Sequence, residues 1–350
     1  MSLHDLPPAR KSVHPGVWLP FAFAILLVIA WTCWWIWARG EARTRLQSGA
    51  ETLRSAGYDV AWQDVAIGGY PFRMDVTLTD ARIADRSGWA LETPRLEAEA
   101  NMLSPGHWML ATPKGLTFIR PKGGRVEVAG KLLHASLRSL DETPPAFSFE
   151  GTDLTFAPGA GAQPFALTAA ARVEFHLRKG PDDEAGVFIK LEGGKATPGR
   201  LLALAGAGKP VSLAWNSTLS KSSALKGADW THAVQAWSDA GGTLHLRDGG
   251  ITAGDVSLTA RDATLNVDRS GRLAGSLPAT LRNGPRALAA LGQSGAVPPE
   301  TAQAAALVAS ARQAPDQTAQ ATLYFQAGQT TLGPVAISPA PKVYEARGET

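Results

Sequence analysis

The chain has 350 residues, enough for about two domains or one large β-domain, and its 45% hydrophobic and 19% charged content is that of a folded protein. A net charge of +3, with no run of five or six like charges and no aromatic–basic motif, argues against a nucleic-acid partner. A single cysteine, Cys33, excludes an intramolecular disulfide, and 36 glycines and 24 prolines, scattered along the chain, imply many turns.

Residues 17–37, VWLPFAFAILLVIAWTCWWIW, carry no charge. A bilayer-spanning helix needs about 20 such residues. Trp18 lies near one end, and Trp31, Trp34, Trp35 and Trp37 crowd the other. Tryptophan favours the membrane interface because its ring is apolar while its N–H wants a partner. The other reading, a buried core helix, fits the length and the end-loaded tryptophans poorly. Bulky residues stand where signal peptidase needs small ones, so an uncleaved anchor is expected. Arg10 and Lys11 precede the span, whereas Arg39, Arg43, Arg45 and Arg54 follow it. Charge counting alone therefore slightly disfavours a cytoplasmic N-terminus.

Residues 39–56 continue with helical spacing of Leu46, Ala50 and Leu53, and Gly57 is a plausible stop. The expected organisation is a short segment 1–16, an anchor 17–37, a helical connector 38–57 and a β-rich body 58–350.

Period two dominates the body. In GYPFRMDVTLTDARIA (69–84), Phe72, Met74, Val76 and Leu78 alternate with Arg73, Asp75, Thr77 and Thr79. Beyond Leu78 the apolar phase shifts to Ala81 and Ile83, which predicts a bulge or tight turn. Val173/Phe175/Leu177, Val187/Ile189/Leu191 and Val211/Leu213/Trp215 repeat the pattern, and shorter pairs run from Val126/Val128 to Leu323/Phe325. Turns are expected at Pro121–Gly124, Lys179–Asp182, Glu192–Gly194 and Asp248–Gly250. This is the signature of antiparallel strands with one apolar face. Helical spacing is confined to 228–240, 285–292 and 299–313. One internal echo stands out: DVTLTDARIADRSG (75–88) against DVSLTARDATLNVDRSG (255–271).

Catalytic patterns are missing. The seven histidines show no HExxH or HxxH spacing, and His107 sits in a Pro-Gly-His-Trp run expected to be a loop. Gly130-Lys131 and Gly208-Lys209 lack the phosphate-loop hydroxyl, and no G-x-S-x-G elbow occurs. No metal, cofactor or enzymatic activity is expected.

The segment Trp62 to Asp80, with its Gly-Tyr-Pro-Phe-Arg run, resembles the AsmA-like group of Gram-negative envelope proteins, in an uncharacterised branch carried mostly by alphaproteobacteria. Residues 89–100, the hairpin at 249–277 and 331–337 resemble later parts of the same group, so the likeness covers roughly residues 40–345. Tyr70 stands where Phe is more usual. The resemblance implies an inner-membrane anchor with a cytoplasmic N-terminus and a periplasmic body. It also implies a twisted antiparallel sheet curled into an open gutter with an apolar concave face. Larger relatives are thought to carry phospholipid along such a groove. The expected partner is a phospholipid or other acyl-chain lipid, held by Phe72, Met74, Val76, Leu78, Val173, Phe175, Leu177, Val187, Ile189 and Leu191. The alternatives are a closed β-sandwich serving as a scaffold for an envelope protein partner and, less supported by motifs, a hydrolase.

Overall fold

The period-two segments form one antiparallel sheet of 18 strands. The structure is a computed structural model and describes residues 18–227, 229–311, 314–333 and 335–344. Segment 1–16 with its histidines and basic residues, Val17 and Pro334 lie outside the described residues.

The first element, α1 (Leu19–Ser55), is a single helix of 37 residues, about 55 Å long. Anchor and connector are thus one continuous element. It ends at Gly57, whose φ of 100° is open to glycine at no steric cost. The strands that follow are β1 (Asp59–Ala61), β2 (Asp64–Gly68), β3 (Arg73–Ala84), β4 (Ala90–Asn101), β5 (Ser104–Ala111), β6 (Leu116–Arg120), β7 (Gly124–Ala129), β8 (Leu132–Arg138), β9 (Ala146–Pro158), β10 (Leu167–Lys179) and β11 (Ala185–Ala196). After α2 (Leu201–Gly206) come β12 (Val211–Leu219), α3 (Trp230–Asp239), β13 (Leu244–Ala253), β14 (Val256–Val267) and β15 (Leu273–Arg282). The chain closes with α4 (Gly284–Gln293), α5 (Pro299–Ala311), β16 (Thr318–Gln326), β17 (Gln329–Leu332) and β18 (Val335–Pro339).

Both β1 and β2 pair with β3. β4 forks onto β5 and β6, and the two branches rejoin on β9 through β8 and β7. From β9 to β18 each strand pairs with the next. Among the described residues no pairing joins β18 to β1 or β2, so the strands form one continuous sheet whose two ends are not joined. Nine pairings separate β3 from β14. At roughly 20–25° of twist each, strand direction turns through about half a circle across them.

Several turn expectations need correction. Glu192–Gly194 lies inside β11, where Gly193 has φ 61° and the register shifts past Leu191. Asp248–Gly250 lies inside β13. A Cβ on Gly249 would crowd Leu246 Cδ1 at 3.1 Å and the Trp215 ring at 3.3 Å. His107 is in β5, not a loop. The short helix α2 went unread because LLALAG is apolar on all sides and has no periodicity. The expected bulge or tight turn does not form: Asp80 has φ 49° and interrupts the pairing between Thr79↔Arg95 and Ala81↔Thr93, but the register is the same on both sides. Asp153 and Asp262 repeat the device in β9 and β14.

The internal echo is structural as well. In the β3–β4 turn the Asp85 carboxylate accepts from Ser87 N, Ser87 Oγ and Trp89 N at 3.0, 2.7 and 3.1 Å. In the β14–β15 turn Asp268 accepts from Ser270 N, Ser270 Oγ and Arg272 N at 2.9, 2.7 and 2.9 Å.

Directly paired residues in a sheet share a face, so the register sorts side chains into two sets. One set is polar and carries ion pairs such as Arg73–Glu99 (3.2 Å), Arg172–Glu150 (2.8 Å) and Lys190–Glu192 (2.7 Å), with Arg73 and Asp75 on this outer side as predicted. Exposed pairs of this kind contribute about 0–1 kcal/mol each; they mark the solvated face rather than hold the fold. The other set is apolar and carries the hydrophobic clusters.

Candidate functional site: an apolar cavity between helix and sheet

Beyond its exposed apolar half, α1 presents Trp31, Trp35, Ala38, Ala42 and Leu46 to the sheet. These spacings of three and four residues make one helical stripe. Trp35, 6% exposed, packs with Ile67, Met74, Val76, Leu78 and Met102. A covered indole N–H requires an acceptor, and the Gly-Tyr-Pro-Phe-Arg turn supplies two. Trp31 Nε1 donates to the Pro71 carbonyl at 2.9 Å, and Trp35 Nε1 donates to the Arg73 carbonyl at 3.1 Å. The Tyr70 ring meets Trp35 edge-on at 5.5 Å, and its hydroxyl lies 2.8 Å from Thr32 Oγ1. The most distinctive run of the sequence is therefore the seat of the helix.

Next to this seat the helix and sheet leave a cavity of about 530 Å³. Its floor is Met74, Val76 and Leu78 of β3, Leu96, Ala98 and Ala100 of β4, Trp108 and Leu110 of β5, and Leu137 of β8. Its roof is Trp34, Trp37, Ala38, Ala42 and Leu46. The void has a plain cause: Ala38 and Ala42 on the helix face Ala98 and Ala100 on the sheet, where larger side chains would interlock. Polar groups occur only at Glu41, Arg45 and Asn101, with Arg45 Nε donating to Glu41 at 2.8 Å. A concave, apolar volume with a few polar groups at one side is the general form of a small-molecule site, typically about 300–1,000 Å³.

The floor does not stop there. Val76 pairs with Ala98, Ala98 with Leu110, Leu110 with Ala135, Ala135 with Phe149, Phe149 with Phe175 and Phe175 with Ile189. The row runs on through Trp215, Gly249, Ala260, Ala279 and Ala321 without a charged or hydroxyl side chain. In the flanking row Ser217 is the exception, and its Oγ accepts from Trp215 Nε1 at 2.8 Å. Helices pack on this face toward its two ends: α1 in the cluster with β2 and β3, and α2, α4 and α5 in clusters with the later strands. Between them Phe147, Phe149, Phe175, Leu177, Val187 and Ile189 are only half-buried.

Of the predicted wall residues, Met74, Val76 and Leu78 lie in the cavity floor. Val173, Phe175, Leu177, Val187, Ile189 and Leu191 lie on the same face of β10 and β11. Phe72 does not: it belongs to the turn before β3, is 62% exposed, and its ring stands 6.1 Å from Trp31. Among the tryptophans, Trp18, Trp34 and Trp37 are exposed, whereas Trp35 is buried and Trp31 partly so, because those two dock the sheet. Trp108 and Leu110 escaped the sequence reading because Pro105 and Gly106 made β5 look like a loop; Leu137 of β8 went unread as well.

A second apolar cavity, about 470 Å³, lies at the far end of β3 and β4. Ile83, Trp89, Leu91 and Phe118 line one side; Trp230 of α3 and Val343 line the other. Burial, followed by the negative charge of Asp85 and Asp229, pushes the Tyr58 hydroxyl in its wall above its usual pKa.

The sequence model of one protein family, described as "Uncharacterized protein conserved in bacteria (DUF2125)", matches residues 35–341. No curated protein and no solved structure matches. The match begins at Trp35, so it takes in the docking half of α1 together with the sheet.

Proposed function

The chain belongs to this family of uncharacterized bacterial proteins, and from that premise we propose that it is a membrane-anchored, non-enzymatic protein that holds the acyl chains of a phospholipid or similar lipid against its apolar sheet face. The observation that carries the reading is the 530 Å³ cavity at the end of the apolar helix segment, opening onto a floor that stays apolar through β12. Each CH₂ taken from water gains about 0.8 kcal/mol, so a few buried methylenes hold a chain without specific polar chemistry. The helix, with a mean hydropathy of 2.1 over its most apolar window, is long and apolar enough to cross a bilayer.

In this proposal the protein is an AsmA-like envelope protein of the inner membrane, its N-terminus cytoplasmic and its body periplasmic. A topology reporter fused at either end tests the orientation. Protein purified in mild detergent should carry stoichiometric phospholipid by mass spectrometry, and Val76→Asp should remove it. Repeated lipid-free preparations of folded protein overturn the reading. In that case, crosslinking to a single envelope protein through the Trp230 surface would favour the scaffold alternative.

A further inference from the structure

The contacts between α1 and the β2–β3 turn fix the height of the sheet along the helix. Thr32, whose hydroxyl meets Tyr70, lies seven residues before Arg39, the first charge after the uncharged stretch. Seven residues are about 10 Å of helix. Where the helix crosses a bilayer, as the proposed function holds, the turn at 69–72 is therefore drawn to the level of the lipid interface rather than above it.

The loops beside that turn suit such a place. Met102 N donates to the Phe72 carbonyl at 3.0 Å, which sets the β4–β5 hairpin tip against the turn. Residues 69–72 and 101–106 contain no charge. Phe72 is 62% exposed and Leu103, at the hairpin tip, 77%. Leu140 in the β8–β9 loop is 52% exposed and lines the cavity together with Trp37 and Met102. Asp141 and Glu142 follow it, so that loop belongs at headgroup height. Exposed apolar side chains gathered at one edge, beside an aromatic-rich helix end, mark an interaction surface.

We infer that Phe72 and Leu103 insert into the acyl–headgroup boundary of the membrane from which the body projects, with Leu140 shallower, so that the cavity opens into the lipid layer and not into water. Amphipathic surfaces insert about 5–10 Å into this boundary, the depth at which the helix contacts hold the turn. A lipid entering the cavity then slides out of its own leaflet without exposing its chains.

The full chain, with Cys33→Ser, is placed in phosphatidylethanolamine/phosphatidylglycerol vesicles and labelled with an environment-sensitive fluorophore at Leu103→Cys, Phe72→Cys, Leu140→Cys, Phe23→Cys within α1, or Leu307→Cys on α5, which is 73% exposed. Nitroxide-bearing lipids should quench the labels at 103 and 72 several-fold more than the label at 307, with 140 between them, and aqueous iodide should show the reverse order. A label at 103 that behaves like the one at 307 overturns the inference, as does a label at 23 that lipid does not quench. Lipid content, measured on the same preparations, keeps the two ideas separate. Lipid-free protein with quenched tips sinks only the acyl-binding function, whereas lipid-loaded protein with unquenched tips sinks only the insertion.

Discussion

Val76 on β3 and Phe175 on β10 stand on the same face of one sheet, linked through Ala98, Leu110, Ala135 and Phe149 as successive cross-strand partners. No charge interrupts the row. A ligand that rests on Val76 therefore meets the same kind of surface at every strand on the way to Phe175, with no polar group to stop it at one place.

A charge set into this face should expel the ligand, while a charge on the reverse of the same strand should not. Val76→Asp is expected to abolish co-purified lipid. Thr77→Lys, which points to the outer face opposite Glu97, is expected to leave lipid unchanged. Because a lone buried carboxylate costs several kcal/mol, strand content by circular dichroism accompanies the mass spectrometry. Equal lipid loss in both folded variants would show that the face is not the binding surface.

The cavity can also be closed without adding polarity. Ala98 lies in its floor opposite Ala38 and Ala42, so Ala98→Phe places a ring in empty space instead of overpacking a filled core. The melting temperature should hold or rise while lipid content falls at least several-fold. Unaltered lipid content in this variant would move the site away from α1.

Trp35 ties the helix to the sheet through packing and one hydrogen bond. Trp35→Phe should cost about 1 kcal/mol, the usual worth of such a bond, and Trp35→Ala about 3–5 kcal/mol from the void left behind. Thermal melts in detergent should rank the variants in that order, with protease cutting near residues 57–63 fastest in the alanine form. An alanine variant that melts with the parent would mean that the helix is not docked.

Asp268 gives a pH test. Burial pushes its carboxyl up, but hydrogen bonds from Arg272 N, Ser270 Oγ and Ser270 N, with the Arg272 charge, outweigh burial and hold it below the usual carboxylate range. A depressed folded-state value stabilises the fold above the unfolded value of about 3.9, and this contribution is lost as pH falls through that value toward the folded one. Asp268→Asn should therefore lower stability by about 1 kcal/mol at pH 7, with the difference shrinking below about pH 4. A gap of the same size at pH 7 and pH 3 would contradict the assignment.

Alternation within a strand told which residues share a side, and it did so correctly for Met74, Val76 and Leu78 and for the β10 and β11 triplets. It could not relate one strand to the next, because a period of two carries no register; the common face became visible only through the pairings. Glycine misled at Gly249 and Gly250, which read as a turn but lie within β13, one beside Leu246 and the Trp215 ring and the other against Leu258 and Thr259 of β14. The tryptophans were read as membrane residues from composition, yet Trp31 and Trp35 spend their N–H groups on Pro71 and Arg73. The cavity had no signal at all in the sequence: Ala38, Ala42, Ala98 and Ala100 are ordinary residues until a helix and a sheet bring them opposite one another.

Val343 donates its backbone N–H to the Gly271 carbonyl at 2.7 Å, accepts from Trp230 Nε1 at 2.8 Å, and faces Ile83, Trp89 and Leu91 across the second cavity. In a closed barrel the bore is dictated by the number of strands and their shear. Here, among the described residues, the first and last strands share no ladder, and across the second cavity β3 and β4 meet only Trp230 of α3 and Val343. Under the proposed lipid-holding function, a groove left unjoined in this way widens or narrows for acyl chains of different girth while every rung between β3 and β18 stays intact.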